Sequence, residues 1–136
     1  MTRDTDPQRT VSRDGAAQSF PAETAAPARA RLFVLDVLSQ WGRPDLIDDA
    51  MLVVSELATN AVIHCQSRFS VQLQRCGSQV RVEVVDESGR APVPENAGQF
   101  ATSGRGLSLV EAISQDWGFE RIDSGKTVWA ELGATV

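Results

Sequence analysis

The chain has 136 residues, 42% of them hydrophobic, with 13 Lys+Arg against 18 Asp+Glu and a formal net charge of -5. That length suits one domain with one core, and the hydrophobic content is too high for a wholly disordered chain. The acidic balance argues against a nucleic-acid footprint, which needs a basic face, and no apolar run approaches the ~20 residues that span a bilayer.

Residues 1–19 lack the apolar middle of a secretion signal, so a cytoplasmic location is expected. They are rich in Thr, Asp, Ala, Gln and Pro and are expected to form a disordered tail ahead of a domain over 20–136, with a short strand around Phe20. A helix should follow Pro27, carry Leu32, Val34, Leu35 and Leu38, and stop at the Trp41-Gly42-Arg43-Pro44 break. A second helix is expected over 45–64. Two alternating segments follow, Phe69-x-Val71-x-Leu73 and Val80-x-Val82-x-Val84, with a hairpin turn at Arg75-Cys76-Gly77-Ser78. Residues 86–103 hold Gly89, Pro92, Pro94 and Gly98 and read as a long loop, a length that commonly marks a functional lid. A third helix opens at Gly104-Arg105-Gly106, and two strands are expected over 117–122 and 127–132. Hairpin-linked strands imply antiparallel pairing, so the fold class is an α+β two-layer sandwich.

Cys65, Cys76 and the single histidine His64 have neither a disulfide framework nor a zinc spacing, and reduced thiols are expected. A lone helical histidine is most often a packed residue.

Three features carry chemistry. On the second helix, Ile47, Ala50, Val54, Ala58 and Ala61 gather on one side as the sheet-facing stripe. The other side holds Leu52, Val53 and Ile63, interrupted by Glu56 and Asn60, whose side chains project together about one turn apart. If that second side is also buried, the carboxylate there needs a ligand, a cation or water; on a solvated edge the pair would be ordinary. Next, the apolar strand Val82-Glu83-Val84-Val85 ends in Asp86, followed by Ser88-Gly89. A strand-end Asp can accept a hydrogen bond from an exocyclic amine, although strand–Asp–Gly is also a common turn. Finally, the glycine pair Gly104 and Gly106 opens a helix whose free N–H groups and dipole suit phosphate. It is not a P-loop, because no G-x-x-x-x-G-K-[ST] occurs.

In order, these segments resemble a known family. Ser55-Glu56-Leu57-Ala58-Thr59-Asn60-Ala61-Val62-Ile63-His64 resembles the N box of GHKL (Bergerat-fold) ATPases, in the form found in anti-sigma factor serine kinases of actinobacterial type. Val84-Val85-Asp86-Glu87-Ser88-Gly89 resembles the G1 box, with Ser88 in place of a glycine of the D-x-G-x-G form, and Gly104-Arg105-Gly106-Leu107 resembles the G2 box. The ending Gly125-Lys126-Thr127-Val128-Trp129 is similar in style. The resemblance covers roughly residues 20–133. It implies a mainly antiparallel sheet with helices on one face, and ATP and Mg²⁺ as cofactors. Asn60 would hold Mg²⁺, Glu56 would be the general base, and Asp86 would take the adenine amino group with help from Thr127. Gly89 would let the chain pass close to the nucleotide, while Gly104, Arg105, Gly106 and Leu107 would wrap the phosphates.

The function this implies is a serine/threonine kinase acting on an anti-anti-sigma protein of STAS type and binding a sigma factor; a homodimer is compatible with it. The alternative is a sequestering module without phosphoryl transfer. A histidine-kinase catalytic domain working in trans fits less well, since the chain has no room for a dimerisation helix pair.

Overall fold

The computed structural model describes residues 9–87, 104–123 and 125–134, with backbone only at His64 and residues 104–108. Strands β1 (Arg9–Val11) and β2 (Gly15–Phe20) precede helix α1 (Ala26–Gln40). A 3-10 turn (Pro44–Leu46) leads into α2 (Ile47–Thr59), which continues as a π-helical turn (Asn60–Cys65). Then come β3 (Phe69–Cys76), β4 (Gln79–Asp86), α3 (Gly104–Ile113), β5 (Asp116–Ile122) and β6 (Gly125–Leu132). Among the described residues the strands form one six-stranded sheet in the order β1-β2-β3-β4-β6-β5, with every pair antiparallel. The α+β sandwich is present as expected.

Period-two alternation sorts the sheet's two faces. Val80, Val82 and Val84 of β4 and Val128, Ala130 and Leu132 of β6 are buried on the helix side, against α2. On the opposite face Arg81 pairs with Glu83 at 2.6 Å and Glu131 at 3.2 Å, and stacks over Trp129 at 4.1 Å. In α1 the buried positions Ala26, Ala30, Phe33, Val34, Val37 and Leu38 follow helical spacing, with a proline in the first turn where no N–H is needed. Phe33 meets Phe20 edge-on at 6.3 Å, and Phe20 stacks on Phe69 at 5.3 Å, tying helix to sheet. At the β3–β4 hairpin, Gly77 takes a φ of 64°, which a side chain would disfavour.

Three expectations need correction. The tail expected through residue 19 gives way, from Arg9 on, to a hairpin that extends the sheet. Gly15, Ala16 and Ala17 are too small to mark a strand by hydrophobicity, but β2 pairs with β3 along its whole length. Arg9 bridges to Asp36 of α1 at 2.9 Å, and the Trp41 indole N–H donates to the Ser12 carbonyl at 3.0 Å. The helix expected over 45–64 is three segments in succession. Its second side is only partly covered by the described residues. Val53 and Leu57 join the core, but Leu52 is 44% and Ile63 60% exposed. Among the described residues nothing covers Leu52 and Ile63, so these two positions do not support the burial argument for a ligand at Glu56.

Candidate functional site

Glu56 and Asn60 remain one turn apart, because the Asn60 backbone N–H donates to the Glu56 carbonyl and its φ and ψ, -60° and -42°, are helical. Both side chains are half-buried. Asn60 is also where α-helix turns into π-helix. Such local widening is uncommon and recurs at functional sites, because it re-aims the side chains that follow. The π turn ends at Cys65, and Gln66 reverses the chain in the left-handed region with a φ of 51°. β3 then starts at Phe69, whose partner in β4 is Asp86. Antiparallel pairing thereby brings the end of the π turn beside the end of β4.

Asp86 is 4% exposed on the helix side of the sheet, in line with Val80, Val82 and Val84. A buried carboxylate needs compensation, and here it comes from Lys126, whose Nζ lies 2.8 Å from Asp86 Oδ2. Lys126 also donates to Cys65 Sγ at 3.0 Å, and Cys65 Sγ lies 3.8 Å from Asp86 Oδ2. Lys126 is itself 9% exposed. Burial disfavours its ammonium, but the hydrogen bonds and charges of Asp86 and Cys65 outweigh that and hold its pKa above the ordinary lysine value. The close approach of β6 to this point requires Gly125, where a Cβ would run into the Asp86 carbonyl. Cys65 and Cys76 are not joined in a disulfide.

The structure therefore brings together Asp86, Lys126 and Cys65, and sets Glu56 and Asn60 on the adjoining helix. It does not bring Thr127 to Asp86. The β4–β6 register pairs Asp86 with Lys126 and Val85 with Thr127, so Thr127 faces the other side of the sheet. Sequence reasoning missed Lys126, though two signals pointed to it. It is the only lysine in the sequence, and it shares parity with the buried Val128, Ala130 and Leu132.

Gly104, Arg105, Gly106 and Leu107 form the first turn of α3, which packs on α2. The backbone N–H groups of that turn could receive an anion. Gly89 and the expected lid at 90–103 lie outside the described residues, as do the side chains of Arg105, Leu107 and His64.

The donor set fits a magnesium nucleotide. No group of three or more His, Cys, Asp or Glu side chains able to hold a metal occurs among the described residues. Mg²⁺ needs few protein ligands when phosphates supply the rest, and Asn60 can offer one amide oxygen. The departure is Lys126, a fixed cation on the carboxylate expected to meet the base.

Residues 20–132 match the model of the histidine kinase-like ATPase domain. The match takes in most of the chain, and the chain belongs to that family, whose ligand class is ATP. A solved structure of the RsbU and RsbW domains of Rv1364c from Mycobacterium tuberculosis is similar at 20% identity, with a TM-score of 0.67 over 88% of this chain. That likeness is one of fold, and this chain spans 31% of that structure's length. No curated protein matches the sequence. Among the described residues no helix is long and apolar enough to cross a membrane.

Proposed function

We propose that this chain is a nucleotide-dependent anti-sigma factor protein kinase, transferring phosphate from ATP to a serine or threonine of an anti-anti-sigma protein of STAS type. The observation that carries the reading is the Glu56–Asn60 pair, one turn apart where α2 passes into the π-helical turn whose last residue, Cys65, lies 3.8 Å from the buried Asp86, within a histidine kinase-like ATPase domain. The fold likeness to a structure that includes an RsbW domain is consistent with it.

Phosphoryl transfer asks a protein for positioning and charge more than for covalent chemistry. Asn60 would hold Mg²⁺ by its side-chain oxygen, and the ion, when bound with the phosphates, would neutralise their charge. Glu56 would accept the proton of the attacking hydroxyl at its carboxylate. The first-turn amides of α3, from Gly104 through Arg105, Gly106 and Leu107, would donate to the phosphates. Asp86 would receive a base N–H group. Gly89 and Thr127 keep only supporting roles here, Thr127 from the far side of the sheet. A cytoplasmic sigma factor is the expected downstream partner, and self-association into a homodimer belongs to the same proposal.

The test is to incubate the protein with labelled ATP, Mg²⁺ and a STAS-type protein encoded nearby, and to read serine or threonine phosphorylation. A second reading, sequestration without catalysis, follows if nucleotide binds but no label transfers. The fixed Asp86–Lys126 pair is the observation that favours keeping it in view.

A further inference from the structure

Helix α1 packs against α2, and a groove runs between the two on their outer side. Leu52, Ser55, Thr59 and Ile63 fall on one stripe of α2 and its π turn, because they recur at helical spacing. Two open hollows lie along that stripe. One, of about 350 Å³, is lined by Arg31, Met51, Leu52 and Ser55, with Asp48 two turns before Ser55. The other, of about 290 Å³, is lined by Ala28, Arg31, Thr59 and Ile63 among others. Arg31 lines both, so it sits between them. Leu52 and Ile63, toward the two ends, are exposed, as is Leu35 one turn beyond Arg31 on α1.

A guanidinium has five N–H donors. Among the described residues the half-buried Arg31 hydrogen-bonds to Ser55 Oγ alone, at 3.3 Å, and no carboxylate pairs with it. Acids are not scarce in this chain, 18 against 13 bases, and Arg9, Arg29, Arg43 and Arg81 each have one as partner. Asp48 lines the same hollow as Arg31 without pairing with it. A cation flanked by hydroxyls and set between apolar ends is complementary to a carboxylate, which arginine can take by two parallel bonds. The apolar ends call for apolar residues on either side of that carboxylate. A groove between two helices offers no sheet edge, so the occupant has to satisfy its own backbone groups, as a helix does. From Leu52 to Ile63 the groove spans about 16 Å, the length of three helical turns.

We propose that the α1–α2 groove is a docking surface for an amphipathic helical segment of a partner protein, whose central Asp or Glu pairs with Arg31 and whose flanking apolar residues cover Leu52 and Ile63. Asp48 gives the docked helix a direction, because it disfavours a second acid at its end of the groove. Ser55 immediately precedes Glu56, so the docked segment lies along the helix that carries the proposed base. No nucleotide takes part in this contact.

The probe is a display library of alanine-based helical peptides in which one face, at i, i+4 and i+7, is randomised. It is selected on the full chain without nucleotide. The selected peptides should carry Asp or Glu at the middle position with apolar residues on both sides. The tightest of them, and its twin with the corresponding amide, are then titrated against the parent, Arg31→Met and Leu52→Ser. The acidic peptide should bind the parent at least about tenfold more tightly than its amide twin, the scale of one charged hydrogen bond. Arg31→Met should bring the twins within about threefold of each other, while Leu52→Ser should weaken both alike. A library that yields no binder, selected peptides without a central acid, twins that bind the parent equally, or a ratio unchanged in Arg31→Met each overturn the inference. Should Arg31→Met not fold, the twin ratio on the parent and the loss in Leu52→Ser decide. Because no nucleotide is present, all of these failures leave the ATP-binding reading in place.

Discussion

Asp86→Ala isolates the pair at the centre of the site. In the parent, the Asp86 and Lys126 side chains are 6% and 11% exposed, so little solvent screens them. Removing one partner of such a pair leaves the other charge buried with much of its compensation gone, which costs about 3–5 kcal/mol at neutral pH. The pH dependence is the sharper readout. The folded-state pKa of Lys126 lies above the unfolded value of 10.5. In the parent, the contribution of the pair is therefore complete below that value and is lost as pH rises through the folded pKa, because the native state holds the proton longer. Without Asp86, burial loses its largest opposing partner, Cys65 remaining, and the shift should turn downward. The unfolded state then binds more protons, so the variant should gain stability over a window just below pH 10.5 in which the parent stays flat. The sequence contains no tyrosine, and Lys126 is its only lysine, so above the thiol range the alkaline limb reports on this one side chain. Urea unfolding from pH 7 to 11 measures both effects. A loss under about 1 kcal/mol at pH 7, or alkaline limbs of the same sign in parent and variant, would refute the reasoning.

Glu56→Gln should keep nucleotide affinity near parental while phosphoryl transfer falls by about 10²–10⁴-fold, as expected for loss of a general base; a parental rate withdraws that role. Gly125→Ala should destabilise by about 1–3 kcal/mol in chemical denaturation, since the obstacle is backbone rather than a yielding side chain; a change within about 0.5 kcal/mol would show that β6 can shift freely. Phe20→Ala should cost about 3–5 kcal/mol in the same assay, because Phe20 joins β2 to both Phe33 and Phe69. A loss typical of an exposed site would mean that β2 is not part of the folded core.

The elements with large apolar residues at regular spacing were legible in the sequence. The alternation through Phe69, Val71 and Leu73, then Val80, Val82 and Val84, located β3 and β4, and the stop at Asp86 fell at the end of β4. The spacing of Glu56 and Asn60 likewise survives as one helical turn. The N-terminal hairpin was not legible, because Gly15, Ala16 and Ala17 are too small to mark a strand by hydrophobicity, although Ala16 is buried and β2 pairs with β3 along its whole length. The π turn at Asn60–Cys65 carries no periodicity that separates it from a continuing α-helix. The residue that pairs with Asp86 was not identified from the sequence. The resemblance implied a helping role for Thr127, but a one-residue step in a strand reverses the face, and Lys126 has the parity of the core. A charged residue at a core position is the kind of local conflict that marks a site.

Calorimetric titration of the protein with ATP in the presence and absence of Mg²⁺, with Asn60→Ala alongside, tests the central claim most directly. The account requires saturable heat that depends on Mg²⁺ and weakens in Asn60→Ala. No heat at millimolar ATP, or equal binding by parent and Asn60→Ala, would contradict the assignment of this helix face and strand end as a nucleotide site.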